Sequence, residues 1–508
     1  MYRDSQLWIG AAGEQLQEKV CITPKMANRH GLIAGATGTG KTVTLKVMAE
    51  SFSDCGVPVF LADVKGDLAG MCKPGQDSED MQERIARFGI EGFEYKSYPA
   101  CFWDILGEAG HSLRTTISEM GPTLLAELLE LNQTQSDILA IVFKIADDQN
   151  LLLMDIKDLR LMLEYVSQNA KDFSLKYGMI SKQSVGAISR SLITLEEQGG
   201  NLFFGEPALD IRDWMRTDLT GRGYINILHC EKLIRSPKLY ATFMIWMMSE
   251  LFEEMPEAGD LEKPRVVFFF DEAHMLFDKA SKALKENIEQ MIKLIRSKGV
   301  GIYFITQNPA DIPNSVLAQL GNRVQHALRA YTPAEQKAIK AISQSFRVNP
   351  TFSVEEVITQ LGTGEALLSF LDEDGIPGVV QKAFILPPQS KMGTVDEEVR
   401  KNCMFGDGLG AKYDQLIDRE SAYELLSRRF EEAAEEEAKE QAEKEREEEI
   451  AKEEKKKEKM KKTTSSRTTS SRTRMTPLER GISSAASTLG REVTKTLFRG
   501  FMNTLKKR

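Results

Sequence analysis

Short runs of continuous hydrophobic residues alternate along the chain with segments in which hydrophobic residues recur at helical spacing. The continuous runs are 32–34, 57–62, 266–270 and 300–306. Runs of this length without polar alternation are typical of parallel strands that are buried on both faces. Helical spacing is found at 43–48, 237–254 and 281–298. Strands that alternate with helices predict an α/β fold with a mostly parallel sheet.

Further strands are predicted later in the chain, at 224–228 and 323–330. Two more, 365–371 and 379–386, are separated by the turn signal Asp374-Gly375. A turn of this kind between two apolar runs predicts an antiparallel pair.

The stretch from 91 to 220 differs from the rest because it carries helical patterns, such as Leu124, Leu125 and Leu128, with turn signals between them. We therefore expect 91–220 to be a helical insertion. The core is then made of 29–90 and 221–400. Residues 1–28 are predicted to be a short N-terminal lead with one candidate strand at 7–10.

The composition changes in the last hundred residues. Residues 413–462 are dominated by Glu, Lys, Ala and Gln, and Glu→Lys pairs four residues apart predict a solvated single helix. The Ser/Thr/Arg segment 463–475 predicts a disordered linker. Residues 476–508 predict a basic amphipathic helix, which would dock on the protein itself, on DNA or on a membrane surface.

Composition sets limits on function. The net charge of −9 over 508 residues gives no global sign of nucleic-acid binding, so a DNA contact would have to be local. Six scattered cysteines without CxxC spacing indicate reduced thiols. The first residues lack the apolar stretch of a signal peptide, and no run is apolar and long enough to be transmembrane. These features predict a cytoplasmic protein.

The strongest motif follows the first apolar run. Residues 35–42 read Gly-Ala-Thr-Gly-Thr-Gly-Lys-Thr and match the phosphate-binding P-loop, G-x-x-x-x-G-K-[ST]. Glycines let the loop turn its backbone N–H groups toward phosphate oxygens, and the following helix presents its positive end. Lys41 can reach the β- and γ-phosphates, and the Thr42 hydroxyl can ligate Mg²⁺. The motif by itself predicts that a nucleoside triphosphate binds here.

An acidic pair, Asp271-Glu272, follows the run 266–270 directly. A carboxylate at the carboxyl end of a buried strand can hold Mg²⁺, and a second one can accept a proton from the attacking water. We assign the metal role to Asp271 and the general-base role to Glu272. His274 is interpreted either as a relay of phosphate state or as a turn cap.

Polar residues also end two other predicted strands. Gln307 follows the run 300–306 and is predicted to touch the γ-phosphate or the attacking water. Residues 63–67, Asp-Val-Lys-Gly-Asp, end the second strand. For these five residues, a ligand-binding edge and an ordinary polar turn are equally compatible with the sequence.

With these stretches, the chain resembles the HerA–FtsK superfamily of hexameric, ring-forming ATPases that pump DNA. It is most similar to a bacterial HerA-helicase-like group formerly classed as a domain of unknown function. The matching stretches are 35–42, 63–67, 270–274, 296–302 and 306–313. The resemblance implies a RecA-like P-loop ATPase fold with ATP and Mg²⁺ as ligands. The implied nucleotide-binding residues are Gly35, Ala36, Thr37, Gly38, Thr39, Gly40, Lys41 and Thr42, with Thr42 and Asp271 at the metal.

The resemblance also implies a homohexamer. In that superfamily, the stretch matching 296–302 carries an arginine that acts across the ring, which makes Arg296 the first candidate for an arginine finger. Arg323 and Arg329 are weaker candidates. The implied catalytic residues are therefore Lys41, Glu272, Gln307 and Arg296, and the implied partners are double-stranded DNA and a nuclease or other protein.

Two departures from the superfamily pattern leave the cargo open. About thirty residues precede the P-loop here, too few for the β-barrel with which HerA proteins begin, and no FtsK-type membrane span or winged helix is found. The first hypothesis is a DNA translocase or helicase-like motor. The alternative is an ATPase that acts on protein cargo, or a regulatory subunit of a secretion, defence or repair complex. The spelling Asp-Glu-Ala-His also suggests a two-lobed helicase, but the second lobe's Q-x-x-G-R-x-G-R motif is missing from 319–323.

Overall fold

The computed structural model describes residues 1–278, 282–330 and 332–463. In these residues, thirteen strands form one sheet. The strands are β1 (Tyr2–Arg3), β2 (Gln6–Ala12), β3 (Glu18–Ile22), β4 (Gly31–Ala34), β5 (Val59–Asp63), β6 (Ala100–Asp104), β7 (His111–Ser112), β8 (Ile225–His229), β9 (Val266–Phe270), β10 (Val300–Thr306), β11 (Asn322–Gln325), β12 (Glu365–Ser369) and β13 (Gln381–Ile385).

The sheet has a parallel part and an antiparallel part. Its order is β1-β2-β13-β12-β11-β4-β10-β9-β5-β8-β6-β7, with β3 paired to β2. Neighbours from β11 to β7 are parallel, whereas β12, β13, β2, β1 and β3 join antiparallel. The predicted α/β fold with a mostly parallel sheet is confirmed, and so is the antiparallel pair β12–β13.

Helices connect most of the parallel strands. They are α1 (Lys41–Asp54), α2 (Glu79–Phe88), α3 (Ile117–Leu128), α4 (Gln133–Asp148), α5 (Ile156–Gln168), α6 (Ala170–Tyr177), α7 (Lys182–Glu197), α8 (Gly200–Phe203), α9 (Pro237–Glu254), α10 (Met275–Asp278), α11 (Lys282–Ile295), α12 (Asn314–Leu317), α13 (Pro333–Ser343), α14 (Val354–Gln360), α15 (Glu397–Gly406), α16 (Gly410–Tyr413) and α17 (Ala422–Thr463). None of the helices in the described part of the chain is long and apolar enough to cross a bilayer.

The continuous hydrophobic run of β9 is explained by its position between β5 and β10, where both faces are covered. On one face, Phe269 packs against Phe52 of α1, with ring centroids 6.2 Å apart. On the other face, Phe268 lies 5.2 Å from Phe60 of β5. Because fully burying one such side chain stabilises a protein by about 1.5–3 kcal/mol, the central strands anchor the loops at their ends.

Three predicted boundaries were wrong. The lead, 1–28, contributes β1, β2 and β3 to the sheet, because β13 leaves an edge to which β2 pairs. The predicted insertion, 91–220, includes β6 and β7 of the same sheet, so its helical part runs from α3 to α8. The charged helix begins at Ala422 rather than at 413, because Asp158 accepts hydrogen bonds from the Ser421 hydroxyl and the Tyr423 N–H and holds that end.

The chain divides into two compact units, Met1–Arg429 and Phe430–Arg508. In the described part of the second unit, side chains from 431 to 455 are exposed, as predicted for a solvated helix. Predicted Glu–Lys pairs form there, for example Glu448 with Lys452 at 3.0 Å. The predicted basic helix at 476–508, and all of the predicted linker except Thr463, lie outside the described residues.

Candidate active site

The predicted phosphate-binding loop, residues 35–40, joins β4 to the first residue of α1. Gly35 has φ 153° and Gly40 has φ 115°, which are conformations that glycine adopts easily. A Cβ atom on Gly35 would also lie 2.5 Å from Cβ of His326. Glycine at these positions therefore lets the loop turn sharply against the sheet.

Neighbouring strands hold the loop in place through backbone hydrogen bonds. The Gly35 N–H donates to the carbonyl of Thr306 at 3.2 Å, and the Ala36 N–H donates to that of Ala327 at 2.8 Å. On the far side of the loop, the Gly364 N–H donates to the carbonyl of Thr39 at 3.1 Å. The loop is thus attached at both ends to the sheet.

His326 is a supporting residue that the sequence did not reveal. Its Nδ1 donates to the Glu365 carbonyl at 3.0 Å, and its Nε2 accepts from the Thr44 hydroxyl at 2.8 Å. Burial lowers the pKa of His326 to about 4, so the imidazole is neutral at pH 7. A single histidine in a predicted strand carries no motif, and only the fold shows that it links β11 and β12 to α1.

Lys41 begins α1 and turns back over the loop. Its ammonium donates to the carbonyls of Gly35 at 2.6 Å and Ala36 at 3.0 Å. Burial lowers the pKa of Lys41, while Glu272 and Asp271 oppose that effect. The cation therefore lies between the loop and the acidic pair, as expected for a lysine that contacts phosphates.

The acidic pair follows β9 at the carboxyl end of the sheet. The Glu272 N–H donates to Oδ1 of Asp271 at 2.9 Å, and Glu272 is buried with φ +48°. A left-handed conformation costs a residue other than glycine about 1–3 kcal/mol, so the surrounding contacts must hold it. Such strain is concentrated at functional sites in folded proteins.

Three side chains surround the Glu272 carboxylate. Lys65 Nζ lies 3.1 Å away, Gln307 Nε2 lies 3.2 and 3.3 Å from the two oxygens, and His274 Nδ1 lies 3.5 Å away. The Gln307 amide oxygen in turn accepts from the Thr37 hydroxyl at 3.2 Å. A continuous chain of polar contacts therefore joins the loop, the end of β10 and the acidic pair.

Of these groups, Thr37 and Lys65 line a cavity of about 340 Å³, together with Asp271, the neighbour of Glu272. It is lined by Thr37, Gly38, Gly40, Lys41, Thr42, Val43, Leu45, Lys65, Asp67, Leu68, Asp271, Ile305, Thr363 and Met392. The lining combines backbone donors of a glycine-rich loop, two lysines and two aspartates. Lysines and loop N–H groups suit phosphate oxygens.

Asp271 and Thr42 are suited to a magnesium ion. Both line the cavity, and carboxylate and hydroxyl oxygens are ligands that Mg²⁺ accepts. Burial raises the pKa of Asp271 to about 6, against the effect of Lys65. A cation beside such a carboxylate stabilises its ionised form.

The turn at 63–67 combines both interpretations that the sequence left open. The Asp63 carboxylate accepts from the N–H groups of Gly66 at 2.8 Å, Asp67 at 3.2 Å and Leu68 at 3.1 Å, which orders the turn. Lys65 and Asp67 line the cavity. In the sequence, the feature that pointed to Lys65 as a ligand-binding residue was its position just after a predicted parallel strand, because open sheets bind ligands at the carboxyl ends of their strands.

Arg296 lies at the other end of the sheet. It precedes β10, whose seven residues span roughly 23 Å before Thr306 reaches the loop. Burial and the charge of Arg29 lower the pKa of Arg296. The structure does not bring Arg296 to the cavity of its own chain.

The two weaker arginine candidates bind backbone carbonyls. Arg323 donates to Leu320 and Leu317, both at 3.1 Å, and to Ser345 at 3.2 Å. Arg329 donates to Thr359 and Leu361. These contacts give both residues a structural role within the chain.

Comparison with known proteins gives relatives over most of the chain. The family model described as helicase HerA-like, C-terminal, matches residues 10–508. The DNA double-strand break repair helicase HerA of Sulfolobus acidocaldarius is 20% identical over 365 residues, which are 70% of this chain and 65% of that protein. A probable helicase of Methanocaldococcus jannaschii is 20% identical over 352 residues, 68% of this chain and 60% of that one.

Two solved structures illustrate what the chain is similar to among known structures. The plasmid coupling protein TrwB in complex with ADP and Mg²⁺ has a TM-score of 0.47 and 14% identity, over 83% of this chain and 92% of that one. VirB4 of Thermoanaerobacter pseudethanolicus has a TM-score of 0.47 and 16% identity, over 76% of this chain and 97% of that one.

The match of the family model is the finding that decides the classification. It extends over nearly the whole chain, from the strand β2 onward, and includes the loop, the acidic pair and the glutamine described above. The chain spans about two thirds of the length of the first curated relative. The chain belongs to the helicase HerA-like, C-terminal, family, within the HerA–FtsK superfamily of P-loop ATPases.

Proposed function

We propose that the protein hydrolyses ATP at the cavity beside residues 35–42 and uses the energy in a ring-forming, HerA-like DNA motor. The observation that carries the proposal is the chain of contacts from Thr37 through Gln307 to Glu272. These contacts join a buried carboxylate to a phosphate-binding loop through a side-chain amide, which supports a general-base role for that carboxylate. Positioning and charge neutralisation are what phosphoryl transfer requires of a protein.

Each residue has a separate task in this proposal. The N–H groups of 35–42 and the Lys41 ammonium bind the phosphates and neutralise their charge. Glu272 accepts the proton of the attacking water, and Gln307 orients that water, because its amide already contacts the carboxylate. Lys65 forms an ion pair with the carboxylate at 3.1 Å and holds it in position.

Asp271 and Thr42 would hold Mg²⁺ in the same cavity. When bound, Mg²⁺ neutralises charge on the β- and γ-phosphate oxygens. The half-buried position of Asp271 and its raised pKa favour this role over a structural one. The relatives support ATP and Mg²⁺ as ligands, since TrwB has been solved in complex with ADP and Mg²⁺.

A hexameric ring and a DNA substrate rest on the family and on the position of Arg296. The arginine lies at the opposite end of β10 from the cavity of its own chain, a position compatible with a role at a second subunit. One relative is named as a DNA double-strand break repair helicase. With a net charge of −9 per chain, the proposed DNA contact would have to be made by a local group of Lys and Arg side chains.

The experiment is ATP hydrolysis by the full chain with and without linear double-stranded DNA at low salt. We expect DNA to increase the turnover rate several-fold, and the increase to fall as salt rises because phosphate contacts release counterions. Hydrolysis that DNA leaves unchanged at low salt would contradict the DNA motor and favour protein cargo. Absence of any hydrolysis would contradict the ATPase itself.

A further inference from the structure

A second arginine, on α2, is placed next to the phosphate-binding loop without a protein partner. Arg84 is half-buried, and the structure gives it no hydrogen bond or ion pair within the described residues. Burial, and then the neighbouring Arg87, lower its pKa, while the charge of Asp80, four residues earlier on α2, acts to raise it. Asp80 forms no hydrogen bond or ion pair with Arg84 in the described residues, so the guanidinium of this partly desolvated cation is open to an anion from elsewhere.

Gly364 determines how near Arg84 comes to the loop. A Cβ atom on Gly364 would lie 2.8 Å from Nη2 of Arg84 and a Cβ on Gly40 would lie 3.3 Å from the nitrogen of Gly364. The Gly364 N–H also donates to the Thr39 carbonyl. Gly364 therefore lies between the Arg84 guanidinium and Gly40 of the loop, and its lack of a side chain allows the guanidinium to come close.

The nearest carboxylate along this segment is already engaged. Glu365 forms an ion pair with Lys382 at 3.0 Å and accepts from the Gly362 N–H at 2.7 Å. On the other side of Gly364, Thr363 lines the nucleotide cavity. Arg84 therefore lies behind the Thr363–Gly364 segment of the cavity wall, and Asp80 is the carboxylate whose charge acts on it there.

The position of Arg84 also indicates which phosphate it would meet. Glu272, Gln307 and Lys65 surround the end of the loop near Thr37, where the γ-phosphate is attacked. Arg84 lies by Gly40, at the helix end of the loop. Loop N–H groups cradle the α- and β-phosphates, which lie on this side of the bond that is broken.

We propose that Arg84 binds the α-phosphate of the nucleotide and thereby sets the affinity for both ATP and ADP. The proposal deepens the proposed ATPase function and rests on it. An α-phosphate contact is made equally with substrate and product, so it changes binding without changing the chemical step. The α-phosphate contact also does not depend on which nucleobase the nucleotide carries.

The test measures ADP and CDP binding to the full chain by calorimetry, for the wild type and for Arg84→Gln. Arg87→Gln is the matched control, since Arg87 lies on the same helix and packs over the Phe384 ring at 5.0 Å. We expect Arg84→Gln to weaken ADP and CDP about tenfold or more, because hydrogen bonds to charged groups are strong, and to leave kcat within about twofold. Arg87→Gln should bind as the wild type does.

Several results would overturn the assignment. Wild-type affinity of Arg84→Gln for ADP would show that Arg84 does not bind nucleotide. If Arg84→Gln loses affinity for ADP but not for CDP, the contact is to the nucleobase. If the affinity is lost together with dissociation of the oligomer, Arg84 acts at a subunit interface. If the wild type itself binds no ADP, the proposed ATPase function fails first, whereas the other outcomes leave it intact.

Discussion

At the scale of single residues, the centre of the site is Glu272. Its side chain is buried, its backbone is in a left-handed conformation, and its carboxylate is held by Lys65, Gln307 and His274. A carboxylate in that setting is positioned before substrate binds, and preorganisation of this kind is the main contribution a protein makes to phosphoryl transfer. The P-loop and the acidic pair could be predicted from the sequence because their chemistry requires particular residue types at particular spacings. Arg84 and His326 could not, because each acts through a contact between segments far apart in the chain.

Gln307 provides the first test at this scale. Gln307→Ala removes the hydrogen bond to Glu272 and the one from Thr37, so the attacking water loses its positioning group. We expect kcat to fall about 10- to 100-fold with little change in KM for ATP. Steady-state hydrolysis measures this directly. A rise in KM at constant kcat would instead make Gln307 a binding residue.

At the scale of helices and strands, hydrophobic patterns in the sequence predicted the central strands correctly. The continuous apolar runs of β9 and β10 predicted buried parallel strands, because a strand covered on both faces needs hydrophobic residues at every position. Of the three N-terminal strands, only β2 was predicted, as the candidate strand at 7–10. The strands β1 and β3 were missed because short edge strands are specified by pairing, here with β2, which itself pairs with β13 nearly four hundred residues away. The strand β6 was missed because its five residues lie in a stretch dominated by helical patterns.

A buried histidine offers a test of how these elements are joined. His111 of β7 contacts Asp407 through Nε2 at 3.0 Å and Asp414 through Nδ1 at 2.8 Å. Burial acts to lower the pKa of His111, but the hydrogen bonds and charges of the two aspartates outweigh it and raise the pKa. The imidazolium thus attaches the segment around α16 to the sheet.

His111→Ala should lower the free energy of unfolding by about 3 kcal/mol, because it leaves the buried Asp407 carboxylate without its cation. In the wild type, the stabilisation is fully present below the unfolded pKa of about 6.5 and is lost as pH rises through the folded pKa. Urea denaturation from pH 6 upward measures both effects. Equal pH dependence in the wild type and His111→Ala would contradict the ion pair.

At the scale of the whole molecule, Arg296 is separated from the cavity of its own chain. The arginine precedes β10, and the cavity lies past the other end of that strand. We propose that it acts on the cavity of a second subunit, as the family resemblance implies.

Mixing two inactive variants tests that arrangement. Arg296→Ala and Lys41→Ala should each lose most ATP hydrolysis, by about 1000-fold for the arginine. Co-assembled oligomers contain interfaces where an intact Lys41 of one subunit meets an intact Arg296 of the next, so hydrolysis should partly recover. Normal activity of Arg296→Ala alone, or no recovery on mixing, would contradict action across the ring.

The central claim is that Glu272 activates water for ATP hydrolysis, and Glu272→Gln tests it most directly. The substitution keeps the size of the side chain and its hydrogen-bonding capacity but removes the base. We predict that ATP binds with nearly unchanged affinity while turnover falls at least about 100-fold, as seen in parallel binding and steady-state assays. Hydrolysis by Glu272→Gln at the wild-type rate would contradict this account of the site.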